Sequence, residues 1–155
     1  MSEDFKLLLQ HNMSTIFPIL FNLSAFVALS IMHSFWFLGG KTGLKYAFPN
    51  NSKHKKKRHG PAKVVLLLYI LLFITMSLFC IAQTDILSGI FNMETIIWGN
   101  RITGIIFMAR ALGSFKYVGF TKTFRGSEFA KLDTFMISPL CLAVAICSYF
   151  STTNV

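Results

Sequence analysis

VVLLLYILLFITMSLFCIA, residues 64–82, holds no charged side chain, and its only polar breaks are Tyr69, Thr75, Ser77 and Cys80. A helix needs about 20 such residues to cross the hydrocarbon of a bilayer. Three further blocks follow the same pattern. Residues 16–38 are uncharged, interrupted only by Asn22, His33 and a few serines. Residues 134–150 are shorter and uncharged, with Ser138, Pro139, Cys141 and Cys147. Residues 95–112 are the least apolar, because Asn100, Arg101 and Arg110 lie among them. The pattern predicts transmembrane helices over 16–38, 64–82, 95–112 and 134–150.

Composition agrees. Of 155 residues, 54% are hydrophobic and 14% charged, against about a quarter charged in soluble domains. A soluble chain of this size buries only about two-thirds of its unfolded surface, too little to hide so many apolar side chains, 17 phenylalanines among them. Mean hydropathy is +0.58. Strands of a membrane β-barrel alternate apolar and polar residues, and these blocks do not. Secreted disulfide scaffolds, soluble dinucleotide-binding domains and DNA-binding modules are excluded on the same grounds. The expected fold is all-α: a polytopic membrane protein whose residues 1–155 form one domain, four transmembrane helices in a compact bundle.

The loops set an orientation. Residues 41–63 carry eight Lys or Arg and no acid, and residues 113–133 add Lys116, Lys122, Arg125 and Lys131 against Glu128 and Asp133. The loop between the second and third blocks has Asp85 and Glu94 but no basic residue. Short loops rich in Lys and Arg stay cytoplasmic. Loops 41–63 and 113–133 are therefore expected on the cytoplasmic side of the cell membrane, with both termini outside. Glu3 and Asp4 precede the first block against one Lys6, unlike the basic leader of a signal peptide. Residues 4–10 read as an interfacial extension of the first helix.

The loudest local feature is Lys53-His54-Lys55-Lys56-Lys57-Arg58-His59. Beside a membrane span, Lys53, Lys55, Lys56, Lys57 and Arg58 fix topology and attract anionic headgroups, at about 1 kcal/mol per basic side chain. Nucleic acid is not expected as a partner, and a loop so rich in lysine repels metal ions. Asn22, Phe26, Leu29, His33, Trp36 and Gly40 share one face of the first helix. His33 is a candidate functional group, because polar side chains are costly in a membrane, or else an interhelical hydrogen bond. Trp36 sits where a headgroup-level aromatic anchor belongs. Arg101 must snorkel outward, meet Glu94 or Asp85, or face a wet cavity.

Near the cytoplasmic end, Arg110 and Asp133 stand at matching depth, so an ion pair is expected to tie the third and fourth helices and cap the latter. Pro139 predicts a kink beside Ser138. His33, Arg110, Asp133 and Ser138 thus outline one candidate polar site. Cys80, Cys141 and Cys147 form no Cys-x-x-Cys, and small apolar core roles are expected of them, although a bridge between Cys80 and Cys147 is conceivable at the outer face. No P-loop, nucleophile elbow, zinc-protease motif or working pair of carboxylates occurs, so neither an enzyme nor a cofactor or metal site is expected.

His33-Ser-Phe-Trp-Phe-Leu-Gly-Gly40, Arg110-Ala-Leu-Gly-Ser-Phe-Lys-Tyr-Val-Gly-Phe120, Phe129-Ala-Lys-Leu-Asp133 and Ser138-Pro-Leu-Cys141 together resemble a family of small bacterial four-span integral membrane proteins catalogued as a domain of unknown function. The resemblance implies a bacterial membrane protein of four helices and supplies no activity. Two departures stand out: Phe35 occupies a position where that family suggests Tyr, and the lysine-rich loop is foreign to it. Two functional expectations follow from the residues. One is binding or transport of a small anion or lipid headgroup at the cytoplasmic mouth, where the arginine fork suits phosphate or carboxylate. The alternative is a non-catalytic accessory subunit of another membrane protein, held at anionic lipid by the polybasic loop. A bundle this small is also expected to favour oligomers.

Overall fold

In a computed structural model the chain is all-helical, and the structure describes residues 3–43, 62–84, 91–113, 118–123 and 128–153. The elements are α1 (Glu3–Phe37), α2 (Lys63–Ala82), α3 (Met93–Leu112), α4 (Glu128–Leu132) and α5 (Ser138–Thr153). A π-helical turn, Asp133–Ile137, joins α4 to α5. Lys53, Lys55, Lys56, Lys57 and Arg58 lie outside the described residues.

Three helical stretches are long and apolar enough to cross a membrane: Ile16–Phe37, Lys63–Ala82 and Phe129–Thr153. The α3 helix is as long as α2, at 20 residues, but Glu94, Arg101 and Arg110 keep it from the apolarity of the others. The α1 helix runs continuously through the expected N-terminal extension and contains Pro18. It ends as its glycines dictate. Gly39 takes φ +103°, its N–H reaches the Trp36 carbonyl, and the Gly40 N–H reaches the Phe35 carbonyl. This is a Schellman end, which satisfies two of the last carbonyls of the helix.

Each helix buries one stripe. On α3 it is Ile96, Asn100, Thr103, Phe107 and Ala111, spaced by three and four. On α5 it is made of small groups, among them Ser138, Cys141, Ala145 and Ser148. Small residues let membrane helices approach closely, which matters where lipid is as apolar as the partner helix. A Cβ on Gly104 of α3 would lie 3.3 Å from that of Ser148. Phe26 is fully buried at the centre, its ring 5.5 Å from Phe107. Asn22 on α1 donates to the Ser148 hydroxyl at 3.0 Å. All three cysteines are free thiols.

The α1 helix packs along α2 on one side and α5 on the other, and α3 packs along α5. Between α2 and α3 the contact is sparse, which leaves a groove on that flank. The outer surface is apolar: Leu68, Leu71, Ile105 and Phe135 are all exposed, the last at 83%. Soluble monomers rarely show contiguous apolar surface on this scale, whereas lipid requires it.

Candidate functional site

The Asp133 carboxylate has no exposure and is surrounded by donors. Arg110 Nη2 lies 2.8 Å from Oδ1. Lys122 Nζ and the Gly119 N–H each lie 2.8 Å from Oδ2, and the Ser138 hydroxyl approaches the same oxygen at 3.4 Å.

Local sequence explains the convergence. In the π turn the Ser138 N–H reaches back five residues to the Asp133 carbonyl, so the two side chains share a face. The wide turn directly precedes Pro139, whose ring nitrogen has no proton for the helix ladder. On the facing side, α3 stops at Gly113 with φ +88°, and the chain returns through Gly119 at φ +85°. The returning segment covers the end of α3. The Phe120 N–H donates to the Ala111 carbonyl at 3.0 Å, and the Thr121 hydroxyl to Leu112 at 2.7 Å. Carbonyls of a helix's last turn need such partners. The two glycines touch backbone to backbone, and a Cβ on Gly113 would run into the Val118 carbonyl. This close return carries Lys122 inward until its side chain is 1% exposed.

The electrostatics are unbalanced. Two cations meet one carboxylate, a surplus of one positive charge. Arg110 Nη1 is buried with no hydrogen-bond partner among the described residues, while its side chain as a whole is one-third exposed (33%). Both oxygens of Asp133 already accept hydrogen bonds, two of the donors being cations, so it is no free base. The open chemistry of the cluster is donation to an anion.

Arg110, Asp133 and Ser138 thus meet as expected. His33 does not join them. Its Nδ1–H donates to the Leu29 carbonyl at 2.7 Å, and its ring packs at 5.1–5.3 Å from Trp36, Tyr69 and Phe73. Those partners are all on α1 and α2, whereas the carboxylate cluster is built by α3, the return segment that carries Gly119 and Lys122, the π turn and the first residue of α5. Depth in the membrane was the only coordinate linking His33 to Arg110, and equal depth does not make two helices neighbours.

Trp36 also corrects its expectation as a lipid-facing anchor. It is 7% exposed, and its indole N–H donates to the Thr42 carbonyl at 2.9 Å. The tight glycine end of α1 folds the chain back over the ring, so its polar edge finds backbone instead of headgroups. Trp36→Phe is expected to lose about 1 kcal/mol through that hydrogen bond, read as a lower midpoint of thermal unfolding in detergent. An unchanged midpoint would show that the bond contributes nothing.

Sequence reasoning missed Gly113, Gly119 and Lys122. In the sequence the first two carry only a loop signal, and the last only a topogenic charge. The available signal was a pair of glycines bracketing a short loop directly after Arg110.

A family model described as a protein of unknown function, DUF3995, matches residues 26–148. The chain belongs to this family. No curated protein and no solved structure matches the chain. The DUF3995 match spans the Asp133 cluster, both glycines, Lys122 and His33.

Proposed function

We propose that this protein is a four-span, multi-pass protein of the bacterial cell membrane that binds a small anion or the phosphate of a lipid headgroup at the Arg110–Lys122–Asp133 cluster. In this reading α3 crosses the bilayer with the other three rods, loops 41–63 and 113–133 face the cytoplasm, and both termini lie outside. Binding, not catalysis, is the role. What supports it is the surplus positive charge together with the unused Arg110 Nη1. A buried guanidinium N–H without an acceptor is costly, and an anion bound there relieves the cost. The four donors that Asp133 already gathers favour the accessory-subunit reading instead, in which the cluster is a structural knot.

The two readings separate in one experiment. The protein is extracted in mild detergent, and binding is titrated with inorganic phosphate and, separately, with a short-chain phosphatidylglycerol. Arg110→Gln, checked for an intact helical spectrum and gel-filtration profile, is expected to weaken binding about tenfold, as suits the loss of charge-assisted hydrogen bonds. Stronger binding of one probe tells a free anion from a headgroup. Failure of the wild type to bind either probe rejects the reading.

A further inference from the structure

On the flank where α2 and α3 part, a groove of about 500 Å³ runs between Leu72, Thr75, Met76 and Phe79 on one wall and the face of α3 from Glu94 to Ile106 on the other. Its depth is apolar in practice. The Thr75 hydroxyl donates to the Leu71 carbonyl at 2.9 Å and the Thr103 hydroxyl to Gly99 at 2.8 Å, so both are spent on their own helices. The unsatisfied charge lies at one end. Glu94 lines the mouth, in the first turn of α3. Arg101 is exposed, with its guanidinium 5.5 Å from the centre of the Trp98 ring, and Trp98 lines the groove. Neither Glu94 nor Arg101 forms an ion pair among the described residues.

The order of these groups along the helix axis is informative. Glu94 stands outermost. The Arg101 side chain points back toward the start of the helix, as helical side chains do, and brings its cation to the level of Trp98, about 6 Å below Glu94 at 1.5 Å per residue. Below that the walls are hydrocarbon. From Glu94 to Ile106 the groove extends about 18 Å by the same rise, close to one leaflet of a hydrocarbon core of about 30 Å. Acid, base, then apolar channel is the complement of ammonium, phosphate, then acyl chain.

We propose that this groove holds one zwitterionic aminophospholipid from the leaflet at the N-terminal end of α3, its ammonium on Glu94, its phosphate on Arg101 beside Trp98, and one acyl chain between α2 and α3. This site is separate from the Asp133 cluster, and it stands or falls independently of the anion reading. The bound lipid closes the flank that the protein's own helices leave open. It also gives Arg101 a counter-ion at a depth where a bare guanidinium is costly.

The test uses Trp98 as reporter. The full chain is placed in phosphatidylcholine bilayers with small fractions of phosphatidylethanolamine or phosphatidylglycerol carrying identical brominated chains, which quench nearby indoles. Trp98→Phe identifies the part of the signal that comes from the groove. Half-maximal quenching of Trp98 is expected at about five-fold lower mole fraction of the ethanolamine lipid, the size of one partly exposed ion pair. Glu94→Gln is expected to abolish that preference and Arg101→Gln to raise the half-maximal fraction of the ethanolamine lipid. Equal quenching by both lipids overturns the proposal and makes the groove ordinary boundary surface. A preference for phosphatidylglycerol overturns it as well, since then Arg101 acts alone. Trp98 shielded from both lipids, in protein that crosslinks as a dimer, overturns it in favour of a second copy.

Discussion

Asp133→Ala is expected to cost about 3–5 kcal/mol of stability in detergent micelles, the largest loss of any single polar substitution in this protein. The carboxylate is fully buried and compensates Lys122, itself 1% exposed, together with Arg110 and the Gly119 N–H. Arg110 is one-third exposed and can turn to solvent or headgroups, so most of the cost falls on Lys122, which has no such exit. The measurement is helical signal against added denaturing surfactant. Asp133→Ala combined with Lys122→Met removes both buried charges, and the double variant is expected to recover part of the loss. A cost below about 1 kcal/mol, or a double variant worse than the sum of its parts, would show that the cluster is not a compensated unit.

Gly119→Ala is the second large effect, near 3 kcal/mol, through geometry instead of charge. The residue sits at φ +85°, and an added Cβ would collide with the backbone of Gly113 and the Leu112 carbonyl. Neither a side-chain rotation nor a small shift relieves a clash between two main chains. The return segment over the end of α3 must lift, and Lys122 lifts with it. The readout is local: in detergent solution the Lys122 amine, expected to be protected in the native protein, becomes reactive toward an acylating reagent in Gly119→Ala. Continued protection of Lys122 in the folded variant would mean that the segment tolerates the methyl group.

These two cases show where sequence reading reaches its limit. Arg110 and Asp133 could be paired in advance because both border apolar blocks, and a block edge fixes depth in a bilayer. The helices themselves were legible for the same reason. Azimuth was not legible. Whether His33 faces α2 or α5 depends on packing by small residues such as Gly104, Ala145 and Ser148, which have no strong hydropathy signal. Lys122 was hidden differently. A lysine in a basic loop reads as topogenic, and only the backbone contact of Gly113 with Gly119 turns it inward. The π turn was half visible: Pro139 announced a disturbance, but not that a widened turn would absorb it and place Ser138 under Asp133.

The unequal lengths of the rods have a consequence for the surrounding bilayer. The membrane-length stretches Ile16–Phe37 and Phe129–Thr153, the latter with Lys131 and Asp133 near its start, run 22 and 25 residues, about 33 and 37 Å at 1.5 Å per residue. The α2 and α3 helices run 20 residues each, about 30 Å by the same measure. The two short rods border the groove, and the two long ones form the seam opposite. On the proposed four-span reading the length of helix available to the bilayer varies around the perimeter, and mismatch costs fractions of a kcal/mol per ångström. On the same reading the membrane thins on the groove side or the whole bundle leans, and lipids along α2 and α3 are expected to be sorted by chain length.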